Sequence, residues 1–310
     1  MALRERAAAT PALSRPIVGS ALTRLLDRES VLGPVLLLPT ALILLVFVAY
    51  PFAYGVWLSL NDARVGQEWT FVGPKHFVDL IGDTIFLQTV RNTFVYTGVT
   101  TVLKLVLGLA MAVLLSQSIP LKRFVRAGML LPFIIPTVLS TLAWLWMFDS
   151  TYSVFNWMLE GLGLKGPIWL GDGSWPMTSI IIVNVWRGVP FYAICFLAGM
   201  QVISQDLYEA AAIDGATAWQ RFRHITLPLL RPVITVVLLL STILTFADFQ
   251  IVYVLTRGGP ANTTHLFATY AYQVGLVAGQ IGVGAAISPF MFPLLCLVVF
   301  LTLWSLRQRE

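Results

Sequence analysis

The length of its apolar runs limits this chain most. A helix needs about 20 apolar residues to cross the hydrocarbon core of a bilayer. Six stretches reach that length, at about 32–60, 92–117, 126–148, 177–202, 231–256 and 285–306. Composition agrees with such a reading. Charged residues make up 11% of the 310 and apolar residues 57%, against about 25% charged in an average soluble protein. Too little polar surface remains to cover a water-soluble globule. Strands of a transmembrane barrel would be about 10 residues long and alternating, and no segment reads that way. The expected fold is an all-α integral membrane protein with six transmembrane helices.

Lys and Arg set the expected orientation, because cytoplasmic loops carry an excess of both. Thirteen of the twenty fall on one side: five in the N-terminal tail, then Lys122, Arg123, Arg126, Arg221, Arg223, Arg231, Arg307 and Arg309. Five fall on the other, and Lys104 and Arg187 lie inside spans. Both termini are therefore expected in the cytoplasm. The first apolar run exceeds the 7–15 residues of a signal-peptide core and lacks a small-residue cleavage site, which predicts an uncleaved anchor in a plasma or inner membrane, multi-pass. Two parts follow: a cytoplasmic tail over 1–31 and a transmembrane domain over 32–310. In the tail, Leu22, Leu25 and Leu26 share one face among Arg24, Asp27 and Arg28. A short helix lying on the membrane surface would show that pattern, and a plain charged anchor accounts for it as well. The net charge of +5 is scattered between apolar runs rather than gathered in a patch, so no nucleic-acid partner is expected. Cys195 and Cys296 lie in apolar runs. His76, His224 and His265 have no ligand spacing, so neither a disulfide framework nor a metal site is expected.

One segment, 204–228, is too polar to enter lipid. Ser204 suits a helix N-cap, and Asp206 and Glu209 place negative charge near a helix N-terminus. Ala210 to Ala212 favour helix, and Gly215 allows a sharp turn before a second short helix over about 216–226. Leu207, Tyr208, Ile213, Trp219 and Phe222 supply apolar surface. Such a pair either packs beneath its own bundle or docks into a groove on a partner.

Here the sequence resembles a known family. Glu209, Ala210, Ala211, Gly215, Ile225, Leu227 and Pro228, with Asp214 before the glycine, match the E-A-A-x3-G-x9-I-x-L-P signature of ATP-binding-cassette importer permeases. Thr256-Arg-Gly-Gly-Pro260 is similar to the T-x-G-G-P of carbohydrate permeases of the maltose and glycerol-phosphate type. Trp186–Phe191, Leu244–Phe249, Phe71–Gly73 and Asn92-Thr93 are similar to that group too. The resemblance implies a coupling helix pair between spans 4 and 5 that inserts into a cytoplasmic ATPase, with Glu209 pairing with a basic residue there. It also implies a second homologous permease subunit, two ATPase subunits and an external sugar-binding protein. ATP and Mg would bind in the partners and no cofactor in this chain, which is not expected to be an enzyme. No G-x-x-x-x-G-K-[ST] loop is present. A G-x-G-x-x-G at Gly161, Gly163 and Gly166 lies in a loop with no strand before it and is set aside.

Charges inside spans are costly, about 2.5–3.5 kcal/mol each on insertion scales. Lys104, Arg187 and Asp248 carry them. Lys104 is read as structural, snorkelling or bonding backbone carbonyls of a neighbouring helix. Arg187 precedes Gly188 and Pro190, which would weaken the helix, and it is expected to hold a broken part of span 4 through Asp248. Asn184, Gly188 and Phe191 share one face of span 4, and Ser241, Thr245 and Asp248 share one face of span 5. An interhelical hydrogen-bond seam would explain both stripes. So would a sugar site with Phe191, Tyr192, Phe246, Phe249 and Tyr253 as aromatic faces. The family resemblance implies a mid-membrane site at Gly188, Phe191, Ser241, Leu244, Thr245 and Asp248. Asp248 stands where relatives tend to have Asn, and Leu244 replaces an aromatic of the maltose type.

The leading expectation is one permease subunit of a sugar importer for a di- or oligosaccharide, working by alternating access driven by partner ATPases. A self-sufficient ion-coupled transporter would use intramembrane charges as well, but has no need of a coupling pair. A related solute, glycerol phosphate or a polyol, fits the same family.

Overall fold

The computed structural model describes residues 29–117 and 120–307. The predicted surface helix around Leu22 to Leu26, and most of the tail assigned to 1–31, lie outside them. Contacts divide the chain into two units, one up to Tyr54 and one from Gly55 onward. The first carries α1 (Glu29–Leu44), followed by a π-helical turn (Leu45–Ala49) that passes into α2 (Tyr50–Ser59).

In the second unit, two-residue strands β1 (Asn61–Asp62) and β2 (Thr70–Phe71) form an antiparallel hairpin. The chain is thus nearly, not wholly, helical. Pairs this short carry too little alternation to show in a sequence. Next come α3 (Lys75–Gly82) and α4 (Thr84–Ser116). At 33 residues α4 is about 50 Å long, well beyond a bilayer core. It begins eight residues before the predicted span because Asp83 caps it, its Oδ1 accepting from the Ile85 amide at 2.9 Å.

The predicted third span is broken. α5 (Lys122–Ile134) and α6 (Thr137–Met147) meet at 91° across Ile135-Pro136. Pro136 disfavours helix in the residue before it and donates no amide, and Ile135 is accordingly extended. α7 (Val154–Gly161) follows, and the Gly161–Gly166 stretch leaves it as a turn without a strand. α8 (Trp175–Gln201) runs unbroken through Gly188 and a buried Pro190, which corrects the expected break there.

After α8 come α9 (Gln205–Ile213) and α10 (Ala218–Arg221). The second short helix has no end of its own. A π-helical turn (Phe222–Thr226) carries it straight into α11 (Leu227–Phe246). Span 5 is interrupted at Ala247–Phe249 before α12 (Gln250–Leu255). α13 (Phe267–Tyr272) and α14 (Ile281–Ile287) precede α15 (Met291–Arg307). Among the described residues, four helices are long and apolar enough to cross a membrane, and five if the bent α5–α6 pair counts as one span.

α4 and α8 pack along each other closely. A Cβ at Gly108 would collide with Tyr192 Cβ, the close approach that small residues permit between apolar helices. One buried cluster gathers Tyr96, Trp144, Phe148 and Ile180, and another Ala112, Tyr192, Phe196 and Leu230.

The Thr256–Pro260 motif forms a tight loop. Arg257 and Gly258 have φ of 52° and 88°, and a Cβ on Gly258 would overlap the His265 ring. The Thr264 hydroxyl donates to the Gly259 carbonyl at 2.6 Å, and Asn92 Nδ2 donates to the Thr263 carbonyl at 2.8 Å. This motif therefore serves packing: it pins the end of α12 to α4.

Candidate functional site

All ten residues expected along a substrate pathway line one cavity of about 460 Å³: Asn184, Arg187, Gly188, Phe191, Tyr192, Ser241, Leu244, Thr245, Asp248 and Phe249. That volume falls among those of small-molecule sites, about 300–1,000 Å³. α8 and α11 each contribute one helical stripe, so side chains four and seven residues apart converge. The link between α11 and α12 contributes Asp248. Irregular backbone among apolar helices is tolerated where it is buried in protein or lines a cavity. Here it occurs in span 5 rather than span 4.

A hydrogen-bond network crosses the three helices. Asp248 Oδ2 accepts from the Tyr96 hydroxyl at 2.5 Å and from Asn184 Nδ2 at 3.1 Å. Its Oδ1 accepts from the Ile251 amide at 3.4 Å, at the start of α12. Lys104 Nζ donates to Asn184 Oδ1 at 3.0 Å and to Thr245 Oγ1 at 2.8 Å. The Asn184 amide thus stands between a cation and a carboxylate, meeting each with the atom of the right polarity. Lys104, expected to snorkel or bond backbone carbonyls, is 3% exposed and bonds side chains instead.

Gly188 has its explanation in the same network. A Cβ there would strike Lys104 Cδ and lie 3.3 Å from Cγ, so the missing side chain makes room for the lysine stem. Arg187 does not pair with Asp248. Among the described residues the ion pair present is Arg64–Asp62, and the Arg187 Nε is buried without a partner. An unbroken α8 leaves nothing for Arg187 to hold together.

Aromatic groups border the cavity. Phe133 of α5 stacks on Phe191 at 5.6 Å between centroids, and Phe249 stacks on Tyr253 at 5.0 Å. Phe246 instead turns into the apolar cluster around Phe267, at 5.7 Å. Leu244 lines the cavity and is 71% exposed. Phe133, Thr137 and Gln250 line it too, and Tyr96 bonds to its carboxylate. The sequence reading missed these four. A signal existed for Tyr96: Thr93, Thr97, Thr100 and Lys104 repeat at helical spacing along α4, the same polar stripe seen in α8 and α11. The Thr93 and Thr100 hydroxyls donate to backbone carbonyls four residues back, which leaves Tyr96 and Lys104 to reach across. Phe133 and Thr137 arrive only through the 91° bend. No group of three or more metal-ligating side chains occurs among the described residues.

At the far end of α8, the segment 204–228 forms a helical elbow. The Ser204 hydroxyl accepts from the Asp206 amide at 3.3 Å and caps α9. Gly215 has φ of 81°, a left-handed turn that costs other residues roughly 1–2 kcal/mol. Thr217 and Gln220 form a reciprocal capping box, and Tyr208 bonds Thr226 at 2.9 Å, closing the elbow. Glu209, Ala210, Asp214 and Gly215 are exposed, while Ala211, Ile225, Leu227 and Pro228 are half-buried. Leu207, Ile213 and Trp219 stand out at 47%, 87% and 66% exposure.

Apolar helices around a polar-lined cavity, with an exposed helical elbow beyond them, are an arrangement suited to a membrane transport permease. The chain belongs to the family of binding-protein-dependent transport system inner membrane components, whose match covers residues 104–309. It is 37% identical to the trehalose/maltose transport system permease protein MalF of Thermococcus litoralis, across 92% of this chain and 98% of the relative. It is 34% identical to the sulfoquinovosyl glycerol transport system permease protein SmoG of Agrobacterium fabrum, across 93% and 94%. In structure it matches a bacterial alginate ABC transporter in complex with alginate pentasaccharide-bound periplasmic protein. That match has a TM-score of 0.79 and 25% identity over 91% of this chain and 96% of that chain. The chain is an ABC importer permease, multi-pass in the inner membrane.

Proposed function

We propose that this permease translocates a sugar, most simply a di- or oligosaccharide, delivered by an external binding protein. In this reading it pairs with a second homologous permease, and two cytoplasmic ATPases hold ATP and Mg. The chain itself hydrolyses nothing. Six spans cross the membrane, with α15 as the sixth, and both termini face the cytoplasm. A tail over 1–31 precedes the transmembrane domain over 32–310. Glu209, Ala210, Ala211, Asp214 and Gly215 form the docking elbow, and Ile225, Leu227 and Pro228 join it to α11.

The observation that carries this reading is the convergence of the ten pathway residues on one cavity beside the Lys104–Asn184–Asp248 network. Hydroxyl-rich solutes need donors and acceptors together with aromatic faces, and Asn184, Ser241, Thr245, Asp248, Phe191 and Phe249 offer both. The trehalose/maltose and sulfoquinovosyl glycerol systems of its relatives support a sugar-like solute. The elbow supports force transmission. Its exposed Leu207, Ile213 and Trp219 suit a groove on a partner, and α10 continues into the helix that lines the cavity.

The test is a pull-down of the tagged chain from its native membrane in gentle detergent. Co-purification of an ATPase and a second permease is expected, and Glu209→Lys and Gly215→Pro should lose the ATPase. A chain that came out alone while uptake stayed intact would sink the reading.

A further inference from the structure

A second, larger cavity of about 910 Å³, open on one side, lies beside the elbow and is bordered by the ends of α4 and α8, the start of α5 and residues of α9 and α10. Two arginines line it, Arg126 from α5 and Arg221 from the last turn of α10. Both have a buried Nε without a hydrogen-bond partner. Arg126 has a long bond from Nη2 to the Leu115 carbonyl, at 3.5 Å. Gln117, Gln201, Gln205 and Tyr208 supply the neutral polar wall, and no carboxylate lines the cavity among the described residues. Asp206, Glu209 and Asp214 belong to the elbow but none of them lines this space. Leu207, Ile213 and Trp219 do not line it either, so the cavity is not the docking surface.

We infer that this cavity is a site for a phosphate oxyanion, held between Arg126 and Arg221. A guanidinium cut off from water along one edge and facing no carboxylate is a poorly compensated charge. Oxyanions are its best partner, since two parallel N–H groups match two oxygens. The two arginines come from different elements, so an anion bridging them ties the elbow to the bundle. Its occupancy then biases how the elbow moves when the ATPases close. This rests on the coupling role and inward orientation proposed above. Two sources have the right chemistry: the headgroup of an anionic phospholipid in the cytoplasmic leaflet and a free phosphorylated solute.

The test is the unfolding midpoint of the purified importer in non-ionic detergent. Inorganic phosphate is compared with chloride at equal ionic strength, and short-chain phosphatidylglycerol with short-chain phosphatidylcholine. An upward shift of about 2 °C or more is expected with a phosphate ligand. It should be absent in the Arg126→Gln/Arg221→Gln double variant and reduced in Arg126→Lys, which keeps charge but loses the fork. A shift with phosphatidylglycerol alone assigns the headgroup, and a shift with both assigns the phosphate group itself. No shift with either, or an equal shift in Arg126→Lys, overturns the site. So does a shift that the double variant retains, since it would belong to the ATPases. The measurement works on the chain with or without co-purified partners, so failure here is distinguishable from failure of the importer reading.

Discussion

Asp248 is the residue on which most of the cavity's polar order depends. It accepts from Tyr96, Asn184 and the Ile251 amide. Asp248→Leu would leave the Tyr96 hydroxyl and the Asn184 amide without an acceptor, at about 1–3 kcal/mol per orphaned group. Uptake by this variant is expected to fall about tenfold or more, at ~1.4 kcal/mol per tenfold, while the partners still co-purify. Wild-type uptake would remove Asp248 from the pathway. Gly188→Ala acts on the same network from the other side, driving a methyl into the Lys104 stem and parting it from Asn184 and Thr245. Uptake should drop several-fold. In a double-mutant cycle with Lys104→Ala, the second change should cost little once the first is present. Full additivity would show that Gly188 and Lys104 act independently. At this scale the sequence was informative about which residues face inward, because four- and seven-residue spacing is local. It was silent about partners. Both Lys104 and Arg187 stood out as cations inside spans, and the one given the pairing with Asp248 was Arg187; only the fold shows that Lys104 is the one bonded across, to Asn184 and Thr245.

Among the elements, the breaks were the hardest to read. Pro190 stands inside an intact α8 while Pro136 turns span 3 by 91°. A proline's missing amide matters less where the neighbours keep the helix packed. The loop after α12 was legible as a motif and not as a packing device. His265 fills the space left open by Gly258, and its burial lowers the imidazole to about 4. The unfolded imidazole titrates near 6.5, so the loop's stability is full above that pH and declines as pH falls from about 6.5 towards 4. Hydrogen exchange over 257–266 should therefore show more opening at pH about 5 than at about 7.5, corrected for intrinsic rates, and His265→Gln should lose the difference. Equal protection at both values would refute the assignment. The elbow was read correctly up to Gly215. Beyond it the expected separate helix fuses with α11, since neither a glycine nor a left-handed residue interrupts 218–246.

For the whole molecule, charge counting predicts the orientation, with both termini in the cytoplasm. With Cys195 and Cys296 replaced by Ala, a membrane-impermeant maleimide added outside should label Lys165→Cys and spare Arg223→Cys until the membrane is opened. The reverse pattern would invert the topology. Apolar run length, Lys and Arg asymmetry and the signature of the elbow are properties of consecutive residues. From them came the membrane, the helical class and the importer family. The cavity has another origin. Tyr96 meets Asp248 across 152 positions, Lys104 meets Thr245 across 141, and Asn184 meets Asp248 across 64. Such pairs form only where three helices are already packed side by side. Local spacing orients each stripe about its own helix axis but leaves open which stripes face one another. Packing settles that choice, because a buried cation and a buried carboxylate are tolerated only where other helices bring the missing donors and acceptors to them.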